Sequence, residues 1–322
     1  MSDHETIEVV VHGMTRSSDR SLMIELRPSA QNAVLPAFEA GAHIDVHLGS
    51  LVRQYSLLGS DDETDRYWIG VLREEDGRGG SAAVHDALRV GDRVRISAPR
   101  NTFPLDASAG HSVLLAGGIG LTPLVAMAER LHREGASFEL HAYSPSEETL
   151  PLRDHLASRP WASRVRLHYS GTGDSLRAGA PEPITSPQPG AVLYVCGPPG
   201  FIDAAVAYAA SAGWPEEAVR TERFVLAEPV ELSGAAFSVI AASTGQVMGV
   251  GEDETIAEVL ERNGFQVFLS CEQGICGSCI TDVLDGIPDH RDEVQSPAEH
   301  ASNTLINICC SRSRTPTLTL DI

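Results

Sequence analysis

Five of the six cysteines fall in the last 52 residues: Cys271, Cys276 and Cys279 inside the stretch LSCEQGICGSC, then Cys309 and Cys310. Thiols gathered on one short loop must cross-link, bind an ion or stay reduced, and each option demands a different fold of that segment. A disulfide framework needs an oxidising compartment. The opening MSDHETIEVVVHG has neither the basic region, the apolar segment nor the cleavage site of a secretory leader. No window approaches eighteen consecutive apolar residues, so no membrane span is expected. The expected compartment is the cytoplasm, where such cysteines read as ligands of a metal or cluster.

Four residues separate Cys271 from Cys276 and two separate Cys276 from Cys279. With a distant fourth cysteine, that is the plant-type spacing for a 2Fe–2S cluster. A loop wrapping such a cluster supplies three thiolates, and its backbone N–H groups offset their charge. Gly274 and Gly277 let the backbone approach closely and take positive φ. Cys276-Gly-Ser-Cys279 alone would also suit a redox dithiol or half of a zinc site. The third cysteine upstream argues against the first. The lack of a second paired knuckle argues against the other.

The rest of the chain changes rhythm twice. Up to residue 106, short alternating runs such as TIEVVVHGM, HIDVHL and VRQYSLLG are separated by turn residues, the pattern of an antiparallel β-barrel or sandwich. Over 107–228, strands such as HSVLLAGG and VLYVCG alternate with helices such as TPLVAMAERLHREG, indicating an α/β domain with a parallel sheet. APEPITSPQPG reads as a loop. The segment 229–322 is small and mixed, an α+β domain with a hairpin, one helix, the cysteine loop and a closing strand TLTLDI.

Net charge is −20, which argues against a nucleic-acid partner. The 231–322 segment carries 14 acidic residues against four arginines, so it suits a partner with a basic face. The bland reading is a solvated surface. All the basic charge is arginine, which we read as codon bias.

Four further stretches carry chemistry. In Arg53-Gln54-Tyr55-Ser56-Leu57, alternation puts Arg53, Tyr55 and Leu57 on one strand face and Ser56 on the other; alone this is ordinary packing and surface. Gly77-Arg78-Gly79-Gly80-Ser81 opens a short helix and is either a tight turn or an anion nest. Gly117-Gly118-Ile119-Gly120-Leu121-Thr122-Pro123 joins a buried strand to a helix, with Thr122 expected as N-cap and Pro123 as first helical residue. Cys196-Gly197-Pro198-Pro199 ends a later strand, where ligands of parallel sheets bind.

In that order the chain resembles the phthalate dioxygenase reductase family, over essentially its whole length and including PRNTFPLD at 99–106 and DHRD at 289–292. The resemblance implies a flavin-binding β-barrel domain (1–106), an NAD-binding α/β domain (107–228) and a plant-type, β-grasp 2Fe–2S ferredoxin domain (229–322). It implies that Tyr55 flanks a flavin, Ser56 hydrogen-bonds near its N5, and Arg53, Arg78, Gly79, Gly80 and Ser81 hold its phosphate. FMN is implied rather than FAD, since no segment for an adenosine half is evident. Gly117, Gly118, Gly120, Thr122 and Pro123 would face the nucleotide pyrophosphate. Cys196, with Gly197 and Pro198, would lie beside the nicotinamide, Glu222 near the hydride-transfer site, and Phe224 stacked on the flavin. Phe201 and Ile202 stand where the family often has Met.

In the family the fourth cluster ligand precedes a residue followed by Ser-Arg. Here that is Cys309, in Cys309-Cys310-Ser311-Arg312, leaving Cys310 as a small buried hydrophobe. Pro145-Ser146-Glu147-Glu148, with no arginine before Arg153, would repel a 2′-phosphate, so NADH is expected over NADPH. The implied activity is electron splitting: hydride from NADH to flavin, then single electrons through the cluster to a terminal oxygenase, a Rieske-type one by resemblance. A haem-thiolate monooxygenase partner and a redox-sensing role without turnover are the alternatives.

Overall fold

The structure is a computed structural model that describes residues 6–322 except 31, 50, 76, 78 and 227–229. Its first six strands are β1 (Ile7–Ser18), β2 (Ser21–Pro28), β3 (His43–Leu48), β4 (Leu51–Leu58), β5 (Tyr67–Leu72) and β6 (Arg93–Ile96), with α1 (Gly80–Asp86) before the last. They close into a barrel in the order β1-β2-β5-β4-β3-β6. Alternation explains its interior: Val9, Val11, Ile24, Leu26, Ile44, Val46, Ile69, Val71, Val94 and Ile96 are all buried. Closure leaves no edge for another chain to pair with.

A parallel sheet follows: β7 (His111–Gly117), α2 (Leu121–Arg133), β8 (Phe138–Ser144), α3 (Arg153–Ala157), β9 (Val165–Tyr169), α4 (Glu182–Thr185), β10 (Ala191–Cys196), α5 (Pro199–Ser211) and β11 (Val219–Glu222). Strand order is β11-β10-β7-β8-β9. Helix α2 is buried from Leu121 through Ala128 because it packs on the sheet and on barrel strand β4 together. Its far end is clamped to the barrel as well. Buried Asp61 accepts from Arg130 at 2.9 Å and also from Arg133. The connector PRNTFPLD adds a third tie: Phe103 packs edge-on against Tyr194, whose hydroxyl accepts from the Asp106 N–H at 2.7 Å. Barrel and sheet therefore share one core, in a compact unit that ends at Phe224.

The second unit begins at Val225. It holds β12 (Phe237–Ala241), β13 (Val247–Val250), α6 (Ile256–Arg262), β14 (Ile280–Asp285), β15 (Pro288–Asp289), α7 (Pro297–Ser302), β16 (Leu305–Asn307), β17 (Arg312–Ser313) and β18 (Thr317–Leu320). The mixed sheet runs β13-β12-β18-β14-β16, with β12 and β18 parallel. Helix α6 buries Ile256, Ala257, Val259 and Leu260, and the capping box of Thr255 with Glu258 fixes its start. Among the described residues no helix is long and apolar enough to cross a membrane.

Two local expectations change. LPLRDHLAS yields only the five-residue α3, because Leu152 takes φ 59° and stops the helix from starting earlier. The stretch expected as a loop at APEPITSPQPG contains α4, which forms to bury Ile184 completely.

Candidate functional site

Strands β7 and β10 are parallel neighbours, with Cys196 opposite Ala116, so the turns after them leave the sheet side by side. Glycine makes their contact possible. A Cβ on Gly120 would lie 2.3 Å from the Cys196 carbonyl oxygen, and one on Gly197 would lie 2.9 Å from the Gly117 Cα. The ring of Phe201 fills the space over both, which is where the expected Met is replaced. Gly118 has φ +55°, so this turn needs glycine for conformation as well as for room. A 3-10 turn at Gly118–Gly120 runs straight into α2, and the cap position is Gly120. Thr122 is thus not the N-cap. It is the second helical residue, donating its hydroxyl to the Ile119 carbonyl at 3.0 Å while its methyl meets Gly70 of the barrel. Pro123 follows it inside the first turn.

Cys196 is fully buried at the end of β10, opposite Glu222 at the end of β11. Its thiol lies 4.0 Å from Glu222 Oε2. Burial pushes the Glu222 carboxyl up to about 8, and burial together with Glu222 pushes the Cys196 thiol up. Half-buried Phe224 packs against the core shared by barrel and sheet. After β8, Glu147 pairs with Arg153 at 2.6 Å, and Arg153 also pairs with Asp154.

On the barrel, Arg53 runs along the start of α1: a Cβ on Gly80 would fall 2.3 Å from its Cγ. Gly79 precedes the helix with φ +81°. Ser81 Oγ accepts from the Glu74 N–H at 3.1 Å, tightening the loop. Arg78 lies outside the described residues. Half-buried Tyr55 packs against the barrel core, which pushes its phenol up. Ser56 is buried and lies opposite His43 in the β3–β4 pairing. His43, absent from the sequence reading, is a buried imidazole held down to about 4 by burial and by Arg100. Only its place in an alternating strand marked it.

In the second unit the four expected ligands are buried together. Cys271 lies beside Cys276, and Cys279 beside Cys309. Backbone N–H groups already aim at sulfur: Gln273 N to Cys271 Sγ at 3.3 Å and Ser278 N to Cys276 Sγ at 3.5 Å. The loop reaches this shape with positive φ at Glu272, Gly274 and Gly277. The Cys271 thiol, followed by the Ser278 groups, pulls Cys276 below the ordinary thiol value, and the Cys279 thiol, then Cys310, do the same to Cys309. Soft sulfur ligands with N–H donors fit a thiolate-held iron–sulfur cluster.

Cys310 is buried too, but its thiol meets Gly274 and donates to the Asn307 carbonyl at 3.8 Å. Nothing in the chain's pattern marks Arg312 beyond its place in the Cys-Cys-Ser-Arg motif. Its buried guanidinium donates to the carbonyls of Leu232, Gly234, Ala235, Gly251 and Glu254, at 2.7 to 3.4 Å. It thereby pins the lead-in segment beside the cysteine loop.

Residues 240–314 match the family model of the 2Fe–2S iron-sulfur cluster binding domain. Vanillate O-demethylase oxidoreductase from Pseudomonas sp. is 42% identical over 317 residues, covering 98% of this chain and all of that one. The solved structure of phthalate dioxygenase reductase, described as modular for electron transfer from pyridine nucleotides to 2Fe–2S, is 34% identical. It covers 98% of both chains with a TM-score of 0.72. An intact type IV self-sufficient cytochrome P450 monooxygenase aligns with TM-score 0.88 and 34% identity over 98% of this chain. This chain spans only 41% of that protein. With its barrel, parallel sheet and cluster-binding domain in the same order, the chain belongs to the phthalate dioxygenase reductase family.

Proposed function

We propose that the chain is the NADH-dependent reductase component of an oxygenase system, with FMN on the barrel, NADH on the parallel sheet and a 2Fe–2S cluster at Cys271, Cys276, Cys279 and Cys309. The three territories are 1–106, 107–228 and 229–322. The observation that carries this reading is the interlocking of the two glycine turns beside Cys196 and Glu222, in the same compact unit as Arg53, Tyr55 and Ser56. FMN held by these residues would supply two-electron uptake with one-electron return, and a cluster on the four thiols would pass one electron at a time.

The protein's contribution is positioning. Backbone N–H groups of Gly117, Gly118, Gly120 and Thr122 at the start of α2 would face the pyrophosphate, with Pro123 shaping that first turn. Arg53, Arg78, Gly79, Gly80 and Ser81 hold the flavin phosphate. Tyr55 and Phe224 present ring faces to the flavin, and Ser56 presents a hydroxyl. Cys196, Gly197 and Pro198 form the wall against the nicotinamide. With its pKa raised to about 8, Glu222 is a neutral hydrogen-bond donor at pH 7.

That assignment has a pH signature. Between the ordinary carboxyl value and about 8 the folded protein holds a proton that the unfolded chain has lost. Stability contributed by this group is therefore full below the ordinary value and falls as pH rises towards 8. Glu222→Gln is expected to flatten that slope in thermal melts and to remove a decline in hydride-transfer rate above pH 8. A variant whose melts and rates keep the wild-type pH dependence contradicts the role.

The carboxylates after β8 and the pairing of Arg153 with Glu147 support NADH as donor. The test is the mass of the released flavin together with kcat/KM for both nucleotides. FMN released and NADH preferred by at least about tenfold, roughly one charge-repulsion's worth, agrees with the reading; FAD or an NADPH preference contradicts it.

A terminal oxygenase is the proposed acceptor, met transiently through the acidic 231–322 segment and with salt-sensitive rates. The vanillate O-demethylase relative favours a Rieske-type aromatic oxygenase or demethylase. The likeness to a P450 fusion favours a haem-thiolate acceptor as the second reading.

A further inference from the structure

The stretch DHRD at 289–292 has structural work for two of its members and an open question for the others. Asp289 and Arg291 pair at 2.9 Å, and Arg314 joins Asp289 at 3.4 Å. His290 and Asp292 instead turn inward, where His300 of α7 meets them. The Asp292 side chain is 0% exposed, and its partners are the Gln295 N–H at 3.0 Å, the Ser311 hydroxyl at 3.5 Å and His300 Nε2 at 3.2 Å. Among the described residues no arginine pairs with it, since Arg291 and Arg314 both go to Asp289. A fully buried carboxylate that is hydrogen-bonded but pairs with no arginine among the described residues favours a cation beside it.

His290 is 7% exposed, and its ring nitrogens make no well-formed hydrogen bond, with the Asn303 side chain as a polar neighbour. Its Nδ1 lies 3.9 Å from Asp292 Oδ1, and one ligand atom from each of the three residues lies within 4.8 Å of the others. Two ligands of one tetrahedral zinc ion, each at about 2.0–2.1 Å, stand roughly 3.4 Å apart. Each imidazole stands near that distance from one Asp292 oxygen, His290 from Oδ1 and His300 from Oδ2. His290 and His300 also line a cavity of about 300 Å³ with Ile287, Ala301, Asn303 and Arg314.

From this geometry we propose that His290, Asp292 and His300 form a binding site for a divalent transition-metal ion of the zinc type, separate from the iron–sulfur cluster. Two imidazoles and one carboxylate suit Zn²⁺, Cu²⁺ or Ni²⁺ and not Mg²⁺ or Ca²⁺, which favour oxygen ligands. The cavity beside the two imidazoles would admit water as a fourth ligand, the open arrangement of a site with three protein ligands. One adjustment is needed. The two rings stack with centroids 4.3 Å apart and planes 19° from parallel, so both cannot aim at one point as they stand. His300, at 29% exposed on the six-residue α7, is the ring that must turn from its stacked position to share the ion.

The site has a route to the cluster loop. The Glu293 N–H donates to the Gly274 carbonyl at 3.0 Å, and a Cβ on Gly274 would lie 2.9 Å from the Asp292 Cα. An ion held by Asp292 therefore bears on the backbone that wraps the cysteines.

The experiment is calorimetric titration of the full-length, cluster-loaded protein with ZnCl₂ in chelator-free buffer, followed in parallel by visible circular dichroism. Wild type is expected to take one Zn²⁺ with micromolar or tighter affinity while its cluster bands persist, and Mg²⁺ is expected not to compete. His290→Leu and His300→Ala, two variants that load the cluster independently, are each expected to weaken that binding by at least about tenfold. No such event in wild type, equal binding by both variants, or zinc uptake only as the cluster bands bleach would overturn the proposal.

Discussion

Cys309→Ser is expected to abolish the visible and paramagnetic signatures of the cluster and to lower electron delivery to a one-electron acceptor by more than about a hundredfold. Outer-sphere partners of a metal site are already worth about 10–100-fold, and a ligand is worth more. The serine hydroxyl cannot ionise near neutral pH as the thiol does. Two features point to this thiol: its burial and its place beside Cys279. Reduction of the flavin by NADH is expected to survive, because every residue proposed for hydride transfer lies in the unit that ends at Phe224. Cys310→Ala is the control, expected to keep the cluster, since Cys309 and not Cys310 lies beside Cys279. A serine variant at 309 that loads a cluster normally, while the Cys310 variant does not, would move the fourth ligand to Cys310.

Gly120→Ala is expected to have the second largest effect, and on the opposite half of the path. The added methyl would lie 2.3 Å from the Cys196 carbonyl oxygen and 2.4 Å from its carbon, both backbone atoms that cannot swing aside. The two turns must separate. Overpacking of this kind costs about 1–3 kcal/mol, or several degrees in melting temperature for a unit of this size. The functional loss is expected to be larger than the stability loss. A displacement of about 1 Å at reacting groups can cost about a hundredfold in rate, so flavin reduction by NADH is expected to slow at least tenfold while flavin content stays near wild type. Rapid-mixing measurement of flavin bleaching checks this. A variant that melts lower yet bleaches at the wild-type rate would show that the turns merely hold the sheet together.

The cluster loop was the most legible part of the sequence because thiolate spacing is set by the cluster's own size and not by the surrounding fold. Barrel and parallel sheet were legible for a different reason. Residues such as Val9, Val11, Ile24 and Leu26 alternate in and out, and β7 and β10 are continuous apolar runs. What was not legible is contact at long range. The meeting of Gly120 with Cys196, or of Gly80 with Arg53, joins positions far apart in the chain, and a glycine kept for a neighbour's backbone looks like any turn glycine. Thr122 was misplaced as a cap because a helix entered through a 3-10 turn needs no side-chain cap. The short elements β15, β16 and β17 have too few residues for any period to show. Helix α7 was missed although Ser296, Pro297 and Glu299 spell a capping box, since its six residues bury nothing completely. His43, Asp292 and Arg312 illustrate the remaining gap: single polar residues in apolar surroundings, whose importance exists only once the fold has buried them.

The central claim, that two electrons enter at a flavin and leave one at a time through the cluster, is tested most directly by stepwise anaerobic addition of NADH to the purified protein under a visible spectrometer. The account predicts that flavin and iron–sulfur bands both bleach, with fewer than two equivalents of NADH consumed to fill the three electron places of one flavin and one cluster. Bleaching of the flavin alone, in protein that holds a full complement of cluster, would contradict it.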